Sequence, residues 1–195
     1  MAKPIVTVLG AFVTDLTCRT NRMAKWGETI LGNSFKLGPG GKGSNQAVAA
    51  ARLNADVRLI TKIGRDAFGE MAKQFYQQEG MSVARIYEDP EATSATATIV
   101  IDEKTQENAI IVVQGACGCL TVEEVEAAAV EISSSDVFLT QLESHSADDP
   151  WYRDCAPGWS SGHFESSAGS PGSGRGASES RLPHTQRIGG VDADR

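Results

Sequence analysis

Gly38–Arg52, GPGGKGSNQAVAAAR, constrains this chain more than any other stretch. Four glycines surround one lysine, and an alanine-rich helix follows, opened by Ser44 and Asn45. Glycine lets backbone approach a ligand closely and take positive φ. The N–H groups of a helix start favour hydroxyl oxygens and anions. Asn45 can donate and accept at once, and Lys42 adds a mobile positive charge. The stretch suits a ligand rich in oxygens, although a glycine-rich loop before a helix is also an ordinary tight connection. It is not a Walker A loop, because Lys42 is followed by Gly43 rather than Ser or Thr. Nor is it a dinucleotide fingerprint, since no clean βαβ unit with G-x-G-x-x-G surrounds it.

The chain in order reads as alternating strands and helices. Lys3–Gly10 is a buried strand, rich in β-branched residues and stopped by glycine. Asp15 follows just past its carboxyl end, where open α/β sheets bind ligands. A loop Asp capping a turn is the plainer alternative. Leu16–Leu37 carries two strand-like segments around a polar middle. Trp26 in that middle reads equally as a lid or interface aromatic and as a loop anchor. Asn45–Leu53 is a helix, Val57–Ile63 a strand, and Asp66–Gln78 an amphipathic helix with Asp66 as N-cap and Gly80 as stop. Thr93–Ile101 and Ala109–Val113 are strands around a turn. Thr121–Ile132 is a helix opening with Thr and two Glu, and Val137–Gln141 a strand that leaves Glu143 at its carboxyl end.

GGKGSNQAVAAARL, then DVRLITKIGRDAFGE, NAIIVVQGA and FLTQLE, closely resemble the ribokinase-like (PfkB) carbohydrate kinases, from Pro4 to about Glu143. The resemblance implies a three-layer α/β/α sheet with a small β-sheet lid, of which residues 1–143 carry the N-terminal half. Its lid strands fall at about 12–37 and 93–113. It implies sugar contacts from Asp15, Gly40, Gly41, Lys42, Asn45 and Glu143. It implies a kinase that phosphorylates the 5-hydroxyl of D-ribose or a similar sugar, using ATP and Mg²⁺, with K⁺ as a further candidate. A homodimer through the lid is the expected partner. The family pattern has Asn where this chain has Val13, so one hydroxyl contact is missing. Fructose and nucleosides therefore stay open as substrates, as does a non-catalytic sugar-binding role.

The net charge of -7 argues against nucleic acid. No apolar run reaches the length of a membrane span, and the N-terminus goes straight into a strand, so a cytoplasmic protein is expected. Cys18, Cys117, Cys119 and Cys155 read as reduced thiols, C-x-C being too few ligands for zinc.

Residues 144–195 differ in kind. Ten serines and eight glycines among 52 residues leave no helix or strand period, and the expectation is a non-native, disordered tail. Moving the frame forward one base lets Gly162–Gly169 encode VILNPAPA. The same frame lets Arg153–Trp159 encode a helix end of the form E-(I/T)-A-R-R-A-G, and His184–Ile188 encode TPNE and a serine. All three follow the order of the resembled family, so a frameshift near Glu143–Asp148 is expected. The family's GAGD segment, which supplies the catalytic base, occurs nowhere in the chain, which is therefore expected to be inactive by itself.

Overall fold

The computed structural model describes residues 2–141; Glu143 and the expected tail from Ser144 onward lie outside them. Two four-stranded sheets organise the described residues. The body sheet has the order β5 (Ile86–Asp89), β4 (Asp56–Gly64), β1 (Ile5–Leu9), β8 (Val137–Thr140), with all strands parallel. Register sets Val8 beside both Leu59 and Leu139. Parallel strands are covered on both faces, which is why β1 is a nearly continuous apolar run and why residues 59–64 of β4 are all buried, Thr61 and Lys62 included.

One face buries Val6, Val8, Leu59 and Ile63 under α1 (Lys42–Arg52) and α2 (Ala67–Gln78), with Phe12 and Tyr76 meeting edge to face at 6.1 Å. The other face buries Leu9 and Ile60 under α3 (Val122–Glu126) and α4 (Ala129–Ser133) through Leu120, Val125 and Ile132. These are the three layers that the sequence implies. The single expected helix 121–132 is two short ones. Ala128 N–H bonds back three residues to the Val125 carbonyl, tightening the chain where no Gly or Pro marks a break. Thr121 opens α3 through a capping box with Glu124. The short edge strand β5 has no counterpart among the expected elements.

The lid sheet has the order β3 (Ser34–Gly40), β2 (Val13–Thr20), β6 (Thr96–Asp102), β7 (Asn108–Val113). Strands β2 and β6 run parallel and the other pairs antiparallel. Trp26, in the loop between β2 and β3, is fully exposed and anchors nothing.

The glycine-rich stretch is not a loop. Gly38–Gly40 end β3, Gly41 alone makes the junction at φ 95°, and α1 begins at Lys42 rather than at Asn45. Gly41 is the N-cap and no side chain caps the helix. Gly43 can occupy the first turn because the helix lies flush on Gly10; a β-carbon on Gly43 would sit 2.7 Å from the Gly10 Cα. The buried Gln141 amide rests on the same two glycines and donates from Nε2 to Gln46 Oε1 at 2.5 Å.

Candidate functional site

A cavity of about 350 Å³ lies between the lid and the start of α1. Its polar side is Asp15, Gly41, Lys42 and Asn45. Asp15 comes from β2, so it belongs to a lid strand and not to a turn at the end of β1. Residues at i, i+2 share a strand face, so Val13 and Asp15 point the same way. Asn45 stands in the first turn of α1, exposed toward the lid. The backbone N–H groups at this helix start are partly committed within the protein. Ser44 N–H donates to the Ala11 carbonyl at 3.3 Å and Asn45 N–H to the Gly41 carbonyl at 2.8 Å. The buried Ser44 hydroxyl accepts from the Tyr76 hydroxyl at 2.8 Å, so Ser44 fixes the helix rather than a ligand.

Of the expected site residues, Asp15, Gly41, Lys42 and Asn45 share this cavity. Gly40 lies beside it, under the Asp15 carboxylate. Burial pushes the Asp15 carboxyl above its usual value, and a group so placed gains from hydroxyl donors.

The opposite wall went unforeseen. It is apolar: Val13, Ala95, Ala97, Ile99, Ile110 and Val112, closed by Gln114 and Cys117. The Thr-Ala-Thr-Ile alternation that opens β6 is the sequence signal for it; β7, NAIIVV, does not alternate. Register pairs Ala97 with Val112 and Ile99 with Ile110, so these four occupy one lid face. Cys117 is buried, and its thiol donates to the Phe12 carbonyl at 3.0 Å and the Lys62 carbonyl at 3.3 Å. Burial pushes that thiol up to about 11. A larger hollow of about 560 Å³ opens on the far side of Asp15 and Asn45, over Val48 and Phe75, but it lacks Gly41 and Lys42. The smaller cavity gathers more of the polar set. Its size is at the low end of ligand sites, about 300–1,000 Å³.

Residues 3–150 match the pfkB family of carbohydrate kinases. The chain belongs to that family. Its relatives narrow the kind. It is 41% identical over 138 residues to a ribokinase of Mus musculus, covering 71% of this chain and 42% of that protein. It is 36% identical over 138 residues to a deoxyribokinase of Salmonella typhi, covering 71% of this chain and 45% of that one. The fold is similar to the structure of an Arabidopsis thaliana ribokinase complexed with ribose and ATP, with a TM-score of 0.64 and 25% identity over 72% of this chain and 46% of that one. The chain thus spans less than half the length of these pfkB relatives.

Among the described residues no three His, Cys, Asp or Glu side chains gather to hold a metal ion. Among the described residues no helix is long and apolar enough to cross a membrane.

Proposed function

We propose that residues 2–141 are the sugar-holding part of an ATP-dependent kinase that phosphorylates the 5-hydroxyl of D-ribose or a near relative. The observation that carries this is the convergence of Asp15, Lys42 and Asn45 on one cavity. The Asp15 carboxylate accepts from sugar hydroxyls, Asn45 both donates and accepts, and the apolar wall lies against the C–H face of the ring. Such a wall also excludes water from the reacting hydroxyl. Gly40, Gly41 and Glu143 complete the proposed contact set. ATP, Mg²⁺ and, as a candidate, K⁺ belong to the phosphoryl-transfer half of such an enzyme. The GAGD segment that would supply its base is missing from these 195 residues, so the chain alone is proposed to bind sugar without turnover.

Calorimetric titration of the chain with ribose, 2-deoxyribose, fructose and adenosine tests the proposal. Saturable ribose binding that is lost in Asp15→Ala supports it. Equal heats for both proteins sink it. The second reading rests on Val13, an apolar side chain on the same strand face as Asp15. It favours a sugar with one hydroxyl fewer, and tightest binding of 2-deoxyribose would select it.

A homodimer through the lid is part of the proposal. Phe35, Leu37, Ile111 and Val113 are exposed on the lid, on the face turned from the cavity by the registers that pair Cys18 with Phe35 and Thr98 with Ile111. Four apolar side chains on one sheet face fit a second copy. The acidic balance supports a protein that does not bind nucleic acid, and a cytoplasmic location is proposed with it.

A further inference from the structure

The segment Gly64–Gly69, GRDAFG, lines no part of the sugar cavity. It meets the chain where the body passes into the lid. Asp66 caps α2 by accepting the Gly69 N–H at 2.8 Å. A cap needs one side-chain oxygen, which Ser or Asn supplies equally well. Asp66 uses both oxygens: Oδ2 accepts the Ser94 N–H at 2.7 Å, and Oδ1 also accepts the Ser94 hydroxyl at 2.7 Å. That hydroxyl accepts the Gly64 N–H at 3.0 Å, and Ser94 is 1% exposed. The glycines permit this approach. A β-carbon on Gly64 would lie 2.5 Å from the Ser94 nitrogen, and one on Gly69 3.2 Å from its hydroxyl oxygen.

The next residue carries the contact into the cavity. Ala95 lines the apolar wall, and its carbonyl accepts the Thr14 N–H at 2.8 Å, one residue before Asp15. We propose that Asp66 and Ser94 form the fixed pivot of the lid, a positioning pair that sets both the Ala95–Ala97 wall and Asp15 over the cavity. The positioning part rests on the sugar-binding reading above; the pivot itself does not.

Asp66→Asn keeps the cap, but its amide nitrogen cannot accept the Ser94 N–H. Ser94→Ala removes only the hydroxyl. Hydrogen–deuterium exchange on the full chain without sugar reads the pivot. In each variant the amides of β2 and β6 are expected to exchange about tenfold faster, with α2 and β1 unchanged, and the double variant faster than either single in the same strands. Faster exchange confined to α2, or spread evenly over body and lid, overturns the pivot. If Asp66→Asn does not fold, Ser94→Ala decides by the same pattern. Ribose affinity measured on the same proteins is expected to fall about tenfold in the single variants. A loosened lid with undiminished affinity overturns the positioning role. If the wild-type chain binds no ribose, the sugar reading fails and the exchange pattern still decides the pivot.

Discussion

The Asp15 carboxylate lies over the Cα of Gly40, where any β-carbon would overlap it. The two residues stand on adjacent antiparallel strands, with Val13 opposite Gly40 and Asp15 opposite Gly38. They are diagonal neighbours on one sheet face. Gly40 does not have a positive φ, so replacing it tests the contact and not backbone strain. Gly40→Ala is expected to turn the carboxylate out of place and weaken ribose binding by at least about tenfold, with the far-ultraviolet circular dichroism unchanged. Titration calorimetry on the two proteins checks this. Unchanged affinity would mean that Asp15 does not hold the sugar from this position.

Val13 shares the cavity face with Asp15 but offers no hydrogen bond. A site that bonds a hydroxyl rejects the analogue lacking it far better than an apolar wall can. Val13→Asn is therefore expected to shift preference from 2-deoxyribose toward ribose by about tenfold or more. Competition titrations with the two sugars read the ratio. A ratio that stays fixed places the selectivity elsewhere.

Two acids make the fold sensitive to low pH. Burial alone would raise the Asp66 carboxyl, but the N–H groups of Ser94 and Gly69 and the Ser94 hydroxyl outweigh it and hold it below its usual value. The N–H groups of Ala92 and Glu91, with Lys62 helping, do the same for Asp89. A carboxyl depressed in the folded state adds stability above its unfolded value, about 3.8 for Asp, and loses it as pH falls through the folded value. The urea midpoint is expected to drop below about pH 4, and less steeply in Asp66→Asn. Lys62 acts at the other end. Burial disfavours its charge, yet Glu124 and Asp89 raise its value above 10.5, so its contribution is complete at neutral pH and lost only as pH rises through that folded value. Equal acid slopes in the parent and Asp66→Asn would contradict the Asp66 account.

Much of this was legible in the residues, and the failures have physical causes. Periodicity placed β1, β4 and α2, because a buried parallel strand and a capped amphipathic helix each impose their own pattern. Asp66 as N-cap was read correctly, but its second partner, Ser94, is 28 residues away and no local rule reports it. The start of α1 was set too late. Gly43 breaks helix propensity, and only its contact with Gly10 shows why it is tolerated. Lys42 and Asn45 were legible as polar groups at a glycine-rich helix start, and Asp15 as an acid just past the first strand, although it lies within β2. The apolar wall that faces them needs the register of β6 and β7, which a single sequence does not print.

The two thiols of the C-x-C pair should behave differently. Cys117 is buried, bonded to two carbonyls and pushed up to about 11, while Cys119 is exposed. Only thiolate reacts with alkylating reagents. At pH 8 iodoacetamide is expected to modify Cys119 at least about a hundredfold faster than Cys117, as read by peptide mass spectrometry. Urea at the unfolding midpoint should bring the rates together. Rapid modification of native Cys117 would show that the segment Gly115–Cys119 opens more readily than its packing implies.

Residues 144–195 carry the last test. Their composition offers four large aliphatic or Phe side chains, Phe164, Leu182, Ile188 and Val191, too few for another core layer. One base forward, the same stretch permits VILNPAPA and then TPNE, in the order expected of a carbohydrate kinase. Codon degeneracy makes one such match cheap; matches in one frame and in the family's order are not. Sequencing the coding DNA across codons 135–195 and beyond is expected to find a one-base correction near Glu143–Asp148 that restores both segments and a downstream GAGD. The corrected product should phosphorylate ribose, while the 195-residue chain should show no ATP-dependent turnover. Turnover by the chain as given would mean that its own residues supply a base in place of the GAGD aspartate, and the reading-frame account would fall with it.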